Sequence, residues 1–243
     1  MDRQAALGIG VTLVALAVFA IGATGIYLAL SDNGVDLPSE GSINEIIGED
    51  SGEGEGIASP AAEPEGPPPP PPTRLLIPSL YIDAPIVATG VGAGAVPEVP
   101  DRPDQVAWYP PVSEYPSFSA YPGRASNAVF SGHVDWQTPD GVPIAGVFYR
   151  LREMKIGELI EVVLEDGSKL QYRVSGNVAT RYDDPEVSKV MQQTNREVIT
   201  MITCGGSWLR SSSQQGGSYS HRIIVRAERV QALAGSASGQ SGG

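Results

Sequence analysis

Three side chains that support nucleophilic chemistry stand at the ends of apolar runs in this chain. Cys204 is the single cysteine and His133 is one of only two histidines, and each follows an apolar run; Arg222 precedes another. A thiol, an imidazole and a guanidinium can serve as nucleophile, proton carrier and stabiliser of a developing oxyanion. The sequence therefore predicts a cysteine nucleophile, Cys204, that works with His133 and Arg222.

Strands must position these side chains. Strand alternation puts Val198, Thr200, Ile202 and Cys204 on one face; Cys204 lies where this predicted strand ends, and the next begins at Arg222. If the two strands pair antiparallel, the end of the first lies beside the start of the second. Cys204 and Arg222 are then neighbours. The connection 205–221 is rich in Ser, Gly and Gln, and we predict a loop that hangs over the thiol and acts as a gate.

Other interpretations of the same residues stay open. Cys204 can be a buried, inert core thiol, and Arg222 an ordinary strand arginine. His221, next to Arg222, competes with His133 for the role of proton carrier. Two further side chains are assigned secondary roles: Asp135 as a carboxylate that orients His133, and the Thr203 hydroxyl as an extra oxyanion donor.

The remaining pattern predicts a mainly β domain over residues 74–230. Short apolar runs alternate with turn signals and no long helix is indicated, which favours a closed or partly closed β-barrel. An Asp-Gly pair at 166–167 predicts a hairpin with a type I′-like turn. The predicted strands cover 75–78, 84–87, 127–130, 159–164, 170–174, 197–203 and 222–230.

Charge is concentrated before this domain. The sequence has ten acidic residues and no basic residue within 31–73, so most of the net charge of −12 belongs there. We predict that this segment is a disordered, extracellular linker, stiffened by the six prolines at 67–72. The nearly neutral remainder argues against a nucleic-acid partner, and residues 231–243 are predicted to be a flexible tail.

Residues 5–30 carry no charge, which predicts a membrane span within an N-terminal anchor, residues 1–30. Twenty-six residues at about 1.5 Å each exceed the roughly 30 Å hydrocarbon core. Arg3 precedes the span and the next basic residue is Arg74, so the N-terminus is predicted to be cytoplasmic and the rest extracellular. A cleaved signal peptide is the alternative.

The run Thr200-Met201-Ile202-Thr203-Cys204, with Ser131-Gly132-His133 upstream and Arg222 leading the last strand, resembles the sortase motif Thr-Leu-x-Thr-Cys. Met201 replaces the leucine of that motif, a change of similar volume. Further runs resemble sortases of classes E and F, and the likeness covers residues 74–230: Ile77-Pro78-Ser79-Leu80, Val106-Ala107-Trp108-Tyr109, Phe148-Tyr149-Arg150-Leu151 and Ile202-Thr203-Cys204-Gly205-Gly206.

This resemblance implies an eight-stranded sortase barrel and a membrane-anchored cysteine transpeptidase of a bacterial cell surface. Such enzymes cleave a Leu-Pro-x-Thr-Gly-like sorting signal of a secreted protein between Thr and Gly. They pass the acyl group to an amine of a cell-wall precursor or of a pilin lysine. His133, Cys204 and Arg222 take the catalytic roles by this correspondence, and the lack of a C-terminal span disfavours the pilus-assembly type.

No cofactor and no metal are predicted. The acidic residues Asp183, Asp184 and Glu186 are interpreted as a solvated loop. A papain-like peptidase is disfavoured because its cysteine precedes its histidine, and an L,D-transpeptidase because the Ser-His-Gly-Cys run is missing. A sortase-like hydrolase and a non-catalytic, membrane-tethered binding module of the same fold remain as alternatives.

Overall fold

A computed structural model describes residues 37–38, 40–47, 66–92, 96–112, 118–210 and 217–230. The predicted membrane span at 5–30, most of the linker and the tail at 231–243 lie outside these residues. None of the helices in the described segments is both long and apolar enough to cross a membrane.

Twelve strands and four short helices make up the described chain. The strands are β1 (Pro72–Ile77), β2 (Ile82–Ala88), β3 (Val91–Gly92), β4 (Val96–Pro97), β5 (Val106–Trp108), β6 (Asn127–Gly132), β7 (Asp135–Gln137), β8 (Pro143–Ala145), β9 (Leu159–Leu164), β10 (Lys169–Arg181), β11 (Val198–Arg210) and β12 (Gly217–Arg229). The helices are α1 (Ile43–Ile47) and three 3-10 helices at Pro78–Leu80, Leu151–Glu153 and Pro185–Met191.

Eight of the strands close into a barrel, as the family resemblance implied. Their order around it is β1-β2-β5-β6-β11-β12-β10-β9, with β9 pairing back to β1. The pairs β2–β5 and β6–β11 are parallel and the other pairs are antiparallel. Closure leaves no strand edge in the barrel exposed to another chain.

Alternation along the strands separates two apolar clusters. Inward-facing side chains such as Phe130, Met201 and Val225 fill the barrel. Outward-facing side chains such as Val129, Ile202 and Ile224 join a second cluster with α1 and the 3-10 helix at 185–191. Because Cys204 and Arg222 continue the alternation of Ile202 and Ile224, they belong to the outer face of the barrel.

A buried polar network fixes the 3-10 helix on that outer face. Arg226 donates Nη2–H to the Val190 carbonyl at 2.9 Å, and Asn127 donates to the same carbonyl at 2.9 Å. Thr200 Oγ1 donates to Asn127 Oδ1 at 2.8 Å and lies 3.3 Å from Arg226 Nε. A buried cation needs such acceptors to offset the loss of its hydration, so the network holds the β10–β11 connection in one place.

The linker prediction for 31–73 was too broad. Ile43, Ile46 and Ile47 are buried against the barrel, and Glu40 forms a bridge with Ala179 of β10. The end of the proline run is also held, because Pro71 O accepts the Glu165 amide at 2.9 Å. Apolar burial at helical spacing outweighs the acidic composition over this short stretch.

The 205–221 connection is mostly strand, which corrects the predicted loop. Strand β11 runs on to Arg210 and β12 starts at Gly217, so the two continue past Cys204 as a ribbon with a bulge between Gly205 and Trp208. Gly206 has φ of 74°, which permits the bulge. The tip at 211–216 lies outside the described residues, and the predicted gate is untested.

The β9–β10 hairpin is present, but its turn differs from the predicted type I′. Gly167 N–H donates to Leu164 O at 2.9 Å, and of the turn residues only Gly167 has positive φ, at 83°. A type I′ turn needs positive φ at both central residues. The observed turn therefore matches a type I turn followed by a left-handed glycine.

Candidate active site

The two ladders of β11 place Cys204 in the middle of three strands. On one side, Cys204 pairs directly with Arg222 of β12, as the sequence predicted. On the other side, β11 runs parallel to β6, and the last paired residues are Ile202 and Ser131. Two further steps along that register bring Cys204 level with His133. Adjacent strands lie about 4.8 Å apart, so the Cys204 backbone lies between Arg222 of β12 and the end of β6, which leads directly into His133.

A side-chain hydrogen bond ties the ends of β6 and β11 together. Thr203 Oγ1 donates to the Gly132 carbonyl oxygen at 2.8 Å, one residue before Cys204 and one before His133. This partner differs from the predicted oxyanion role of Thr203, because the hydroxyl hydrogen already points at a carbonyl. The bond instead holds the His133 backbone in register with Cys204.

His133 is fixed from three directions. Its Nε2 lies 2.7 Å from the Pro100 carbonyl oxygen, and a carbonyl only accepts, so Nε2 carries the hydrogen. In the neutral ring, Nδ1 then holds the lone pair. Trp136 packs edge-on against the imidazole, with ring centroids 4.8 Å apart. Gly146 packs against the His133 backbone, where a Cβ would lie 2.3 Å from His133 O.

Arg222 is completely buried. Its Nη1 donates to the carbonyl oxygens of His221 at 2.9 Å and Tyr219 at 3.2 Å, and its Nη2 lies 3.2 Å from Ser218 Oγ. The Tyr182 ring lies 5.9 Å from the guanidinium carbon. A planar guanidinium presents several donors in a fixed geometry, which suits a developing oxyanion; the oxyanion role of Arg222 stays a prediction.

Burial opposes ionisation of both titrating partners. The pKa of Cys204 is raised by burial, against which the Arg222 charge lowers it, and the Asp135 charge raises it further. Burial likewise lowers the pKa of His133, while its bond to Pro100 and the Asp135 charge raise it. A thiol beside a neutral imidazole is therefore the resting pair. Burial therefore works against the expected resting thiolate, because it raises the pKa of Cys204 by more than the Arg222 charge lowers it and also lowers the pKa of His133.

Alkylation of Cys204 is expected to titrate at high pH. Because only the thiolate reacts, the rate of modification by iodoacetamide should rise through a midpoint above 9.0, the ordinary thiol value. The label has one target, since the chain has one cysteine. Mass spectrometry from pH 6 to 10.5 gives the midpoint.

A cysteine peptide alkylated in parallel is the reference, and the urea-unfolded protein shows the rate of the same thiol without burial. A midpoint below 9.0 in the folded protein would contradict the neutral resting pair.

Asp135, predicted to orient His133, lies at the start of β7 and is partly buried. Its carboxylate accepts a short hydrogen bond from the Tyr219 hydroxyl, and its charge acts on the pKa of His133. The structure thus brings Asp135 into the electrostatic surroundings of His133, with Tyr219 as its hydrogen-bond partner.

The competing histidine has other partners. His221 Nδ1 lies 2.8 Å from Ser220 Oγ, and Nε2 lies 3.2 Å from Glu40 Oε1. His221 pairs with Gly205 and not with Cys204 in the β11–β12 ladder. This arrangement favours His133 as the proton carrier.

The acidic residues of the β10–β11 connection also have protein partners. Asp183 forms an ion pair with Arg181 at 2.8 Å, and Glu186 forms one with Lys189. Asp184 caps the 3-10 helix at 185–191 by accepting from the Glu186 amide at 2.9 Å.

Several residues of the site were missed in the sequence. Pro100 contributes only a backbone carbonyl, which no residue-type pattern reports. Tyr219, three positions before Arg222, and Trp136, three after His133, are aromatic residues close in sequence to predicted site residues, a signal that was readable. The N-terminal segment also reaches the site, because Leu37 Cδ2 lies 3.8 Å from where a Cβ on Gly205 would be.

Comparison with known proteins gives one family. The sortase domain profile matches residues 75–230, and no curated protein matches the chain. Similar solved structures include sortase C-1 of Actinomyces oris, at 23% identity, with 66% of this chain and 74% of that chain covered and a TM-score of 0.46. A lid mutant of sortase A of Corynebacterium diphtheriae is 23% identical, with 69% and 74% covered and a TM-score of 0.45. The sortase C2 of pilus island 1 of group B Streptococcus is 22% identical, with 65% and 73% covered and a TM-score of 0.43.

Proposed function

The chain belongs to the sortase family, and we propose that it is a cysteine transpeptidase that cleaves a Leu-Pro-x-Thr-Gly-like sorting signal between Thr and Gly. One observation carries the proposal: the only cysteine pairs with Arg222 of β12, and on its other side β11 runs parallel to β6, the strand that ends one residue before His133. The nucleophile and the oxyanion donor then lie on adjacent strands, and the proton carrier directly follows the third strand.

The first half-reaction makes a thioester. His133 accepts the Cys204 proton at Nδ1 while the sulfur attacks the threonine carbonyl carbon, which matches the neutral pair favoured by burial. The carbonyl oxygen becomes an oxyanion that the Arg222 guanidinium stabilises. The C–N bond to glycine then breaks, and His133 returns its proton to the departing amine.

The second half-reaction releases the acyl group. An incoming amine attacks the thioester, His133 accepts its proton, and the C–S bond breaks to restore the thiol. Proposed partners are secreted proteins that carry a C-terminal sorting signal and an amine of a cell-wall precursor or a pilin lysine. The likeness to classes E and F belongs to this proposal, as does the absence of any cofactor or metal from the scheme.

We also propose that the enzyme acts outside a bacterial cell membrane. The support is sequence alone: the uncharged stretch 5–30 is long enough to span the bilayer, and the acidic, proline-rich stretch after it suits a tether.

The decisive experiment reads masses after incubation of the purified protein with a Leu-Pro-x-Thr-Gly peptide library and an amine donor. We expect a thioester adduct on the protein, cleavage between Thr and Gly, and an amine-joined product. Free acid as the sole product, at several amine concentrations, would indicate a hydrolase. If no peptide gives an adduct and the thiol stays unreactive, the non-catalytic tethered module is the better description.

A further inference from the structure

Tyr219 connects the two sides of the site. Its hydroxyl donates to Asp135 Oδ2, two residues beyond His133. Its backbone carbonyl accepts from Arg222 Nη1 at 3.2 Å. Its ring packs edge-on against Trp208 of β11, with centroids 5.2 Å apart, which orients the side chain. Tyr219 thus donates to the carboxylate two positions after His133 and accepts from the Arg222 guanidinium.

The hydrogen bond from Tyr219 influences the charge on Asp135. Burial raises the pKa of this carboxyl, whereas the Tyr219 hydroxyl and the His133 ring lower it. The Asp135 charge in turn raises the pKa of His133, which burial lowers, and raises the pKa of Cys204. The ionisable groups around this carboxylate are therefore Tyr219 from β12, His133 from its own segment and Cys204 from β11.

We propose that Tyr219 is a positioning residue: its hydroxyl holds the Asp135 carboxylate next to His133 while its backbone carbonyl holds Arg222. Its effect on turnover rests on the proposed transpeptidase function. Its effect on His133 does not, because the Tyr219–Asp135 bond involves only residues of this chain. A tyrosine on β12 therefore couples the environments of His133 and Arg222.

The test is Tyr219→Phe, which removes the hydroxyl and keeps the ring on Trp208 and the backbone carbonyl. NMR titration of the imidazole C–H signals gives the His133 pKa, and His221→Gln assigns the two histidines. We expect a lower His133 pKa in Tyr219→Phe, because Asp135 loses a donor and is less ionised. We also expect kcat to fall roughly tenfold with little change in KM, since the proton carrier is affected and peptide binding is not.

Asp135→Asn and the double variant complete the cycle. Asp135→Asn should lower the His133 pKa as well, and adding Tyr219→Phe to it should change little, because the hydroxyl acts through the carboxylate. Tyr121→Phe is the matched control, a part-buried tyrosine on the segment before β6, at the other end of that strand from His133.

An unchanged His133 pKa in Tyr219→Phe would overturn the proposal, whatever the activity. A fall in kcat without that shift would assign Tyr219 to packing alone, and additive effects in the double variant would also contradict the coupling. If the unmodified protein turns over no peptide, the transpeptidase proposal fails, while the NMR titration still decides whether Tyr219 acts on His133.

Discussion

Replacing Cys204 by alanine is expected to abolish the thioester adduct and to lower kcat/KM by at least ~10⁴-fold, the scale seen when a catalytic nucleophile is removed. The chain has no second thiol to substitute for the one it loses. Mass spectrometry of the protein after mixing with peptide detects the adduct, and chromatography of the peptide measures cleavage.

Two comparisons separate chemistry from folding. Cys204→Ser keeps the shape of the side chain but replaces the thiol by a hydroxyl, a much weaker nucleophile with this histidine, so it should also lose the adduct. Both variants should unfold within a few degrees of the unmodified protein, since the substituted group is small. Cleavage by Cys204→Ala within tenfold of normal would show that another residue attacks the peptide.

The Cys204–Arg222 pair could be predicted because the evidence for it is local. One apolar run ends at Cys204, the next begins at Arg222, and an antiparallel connection makes an end and a start neighbours. The position of His133 relative to Cys204 had no such local evidence in the sequence. Strands β6 and β11 are parallel and lie far apart in sequence, and no turn signal specifies that pairing. His133 was joined to Cys204 in advance by residue type at a strand end and by the family resemblance, and not by any predicted strand pairing.

The N-terminal contact was missed although a signal for it was present. Ile43, Ile46 and Ile47 follow the i, i+3, i+4 spacing of an amphipathic helix, but the acidic composition around them led to a prediction of disorder. The average composition of residues 31–73 does not reveal one short buried helix within them. The protonation state of the Cys204 thiol was missed for another reason. Charged residues can be read from the sequence, whereas desolvation depends on what covers the side chain in the fold.

Replacing Arg222 by glutamine is expected to reduce kcat by roughly 10²–10³-fold, the usual loss when one oxyanion donor is removed. The guanidinium is also the charge that lowers the pKa of Cys204 against burial. Its loss should therefore move the midpoint of iodoacetamide labelling to a still higher pH. Steady-state kinetics on a cleaved peptide and the labelling titration measure the two effects separately.

Arg222→Lys distinguishes charge from shape. Lysine keeps the positive charge, so the labelling midpoint should stay close to normal, but it lacks the planar fork that reaches Tyr219 O, His221 O and Ser218 Oγ. We expect its kcat to remain well below normal. Thermal unfolding of both variants shows how much of any loss comes from the buried contacts.

If both variants keep a normal kcat and only Arg222→Gln shifts the labelling midpoint, Arg222 acts only on the pKa of the Cys204 thiol. A normal midpoint in the glutamine variant with kcat reduced would assign Arg222 to the oxyanion alone. We expect Arg222→Gln to lower kcat and shift the labelling midpoint, and Arg222→Lys to lower kcat alone. That combination requires the Arg222 side chain to act on both the oxyanion and the thiol. The structure supports that combination, because Arg222 is paired with Cys204 in the ladder and its guanidinium is held by β12 itself.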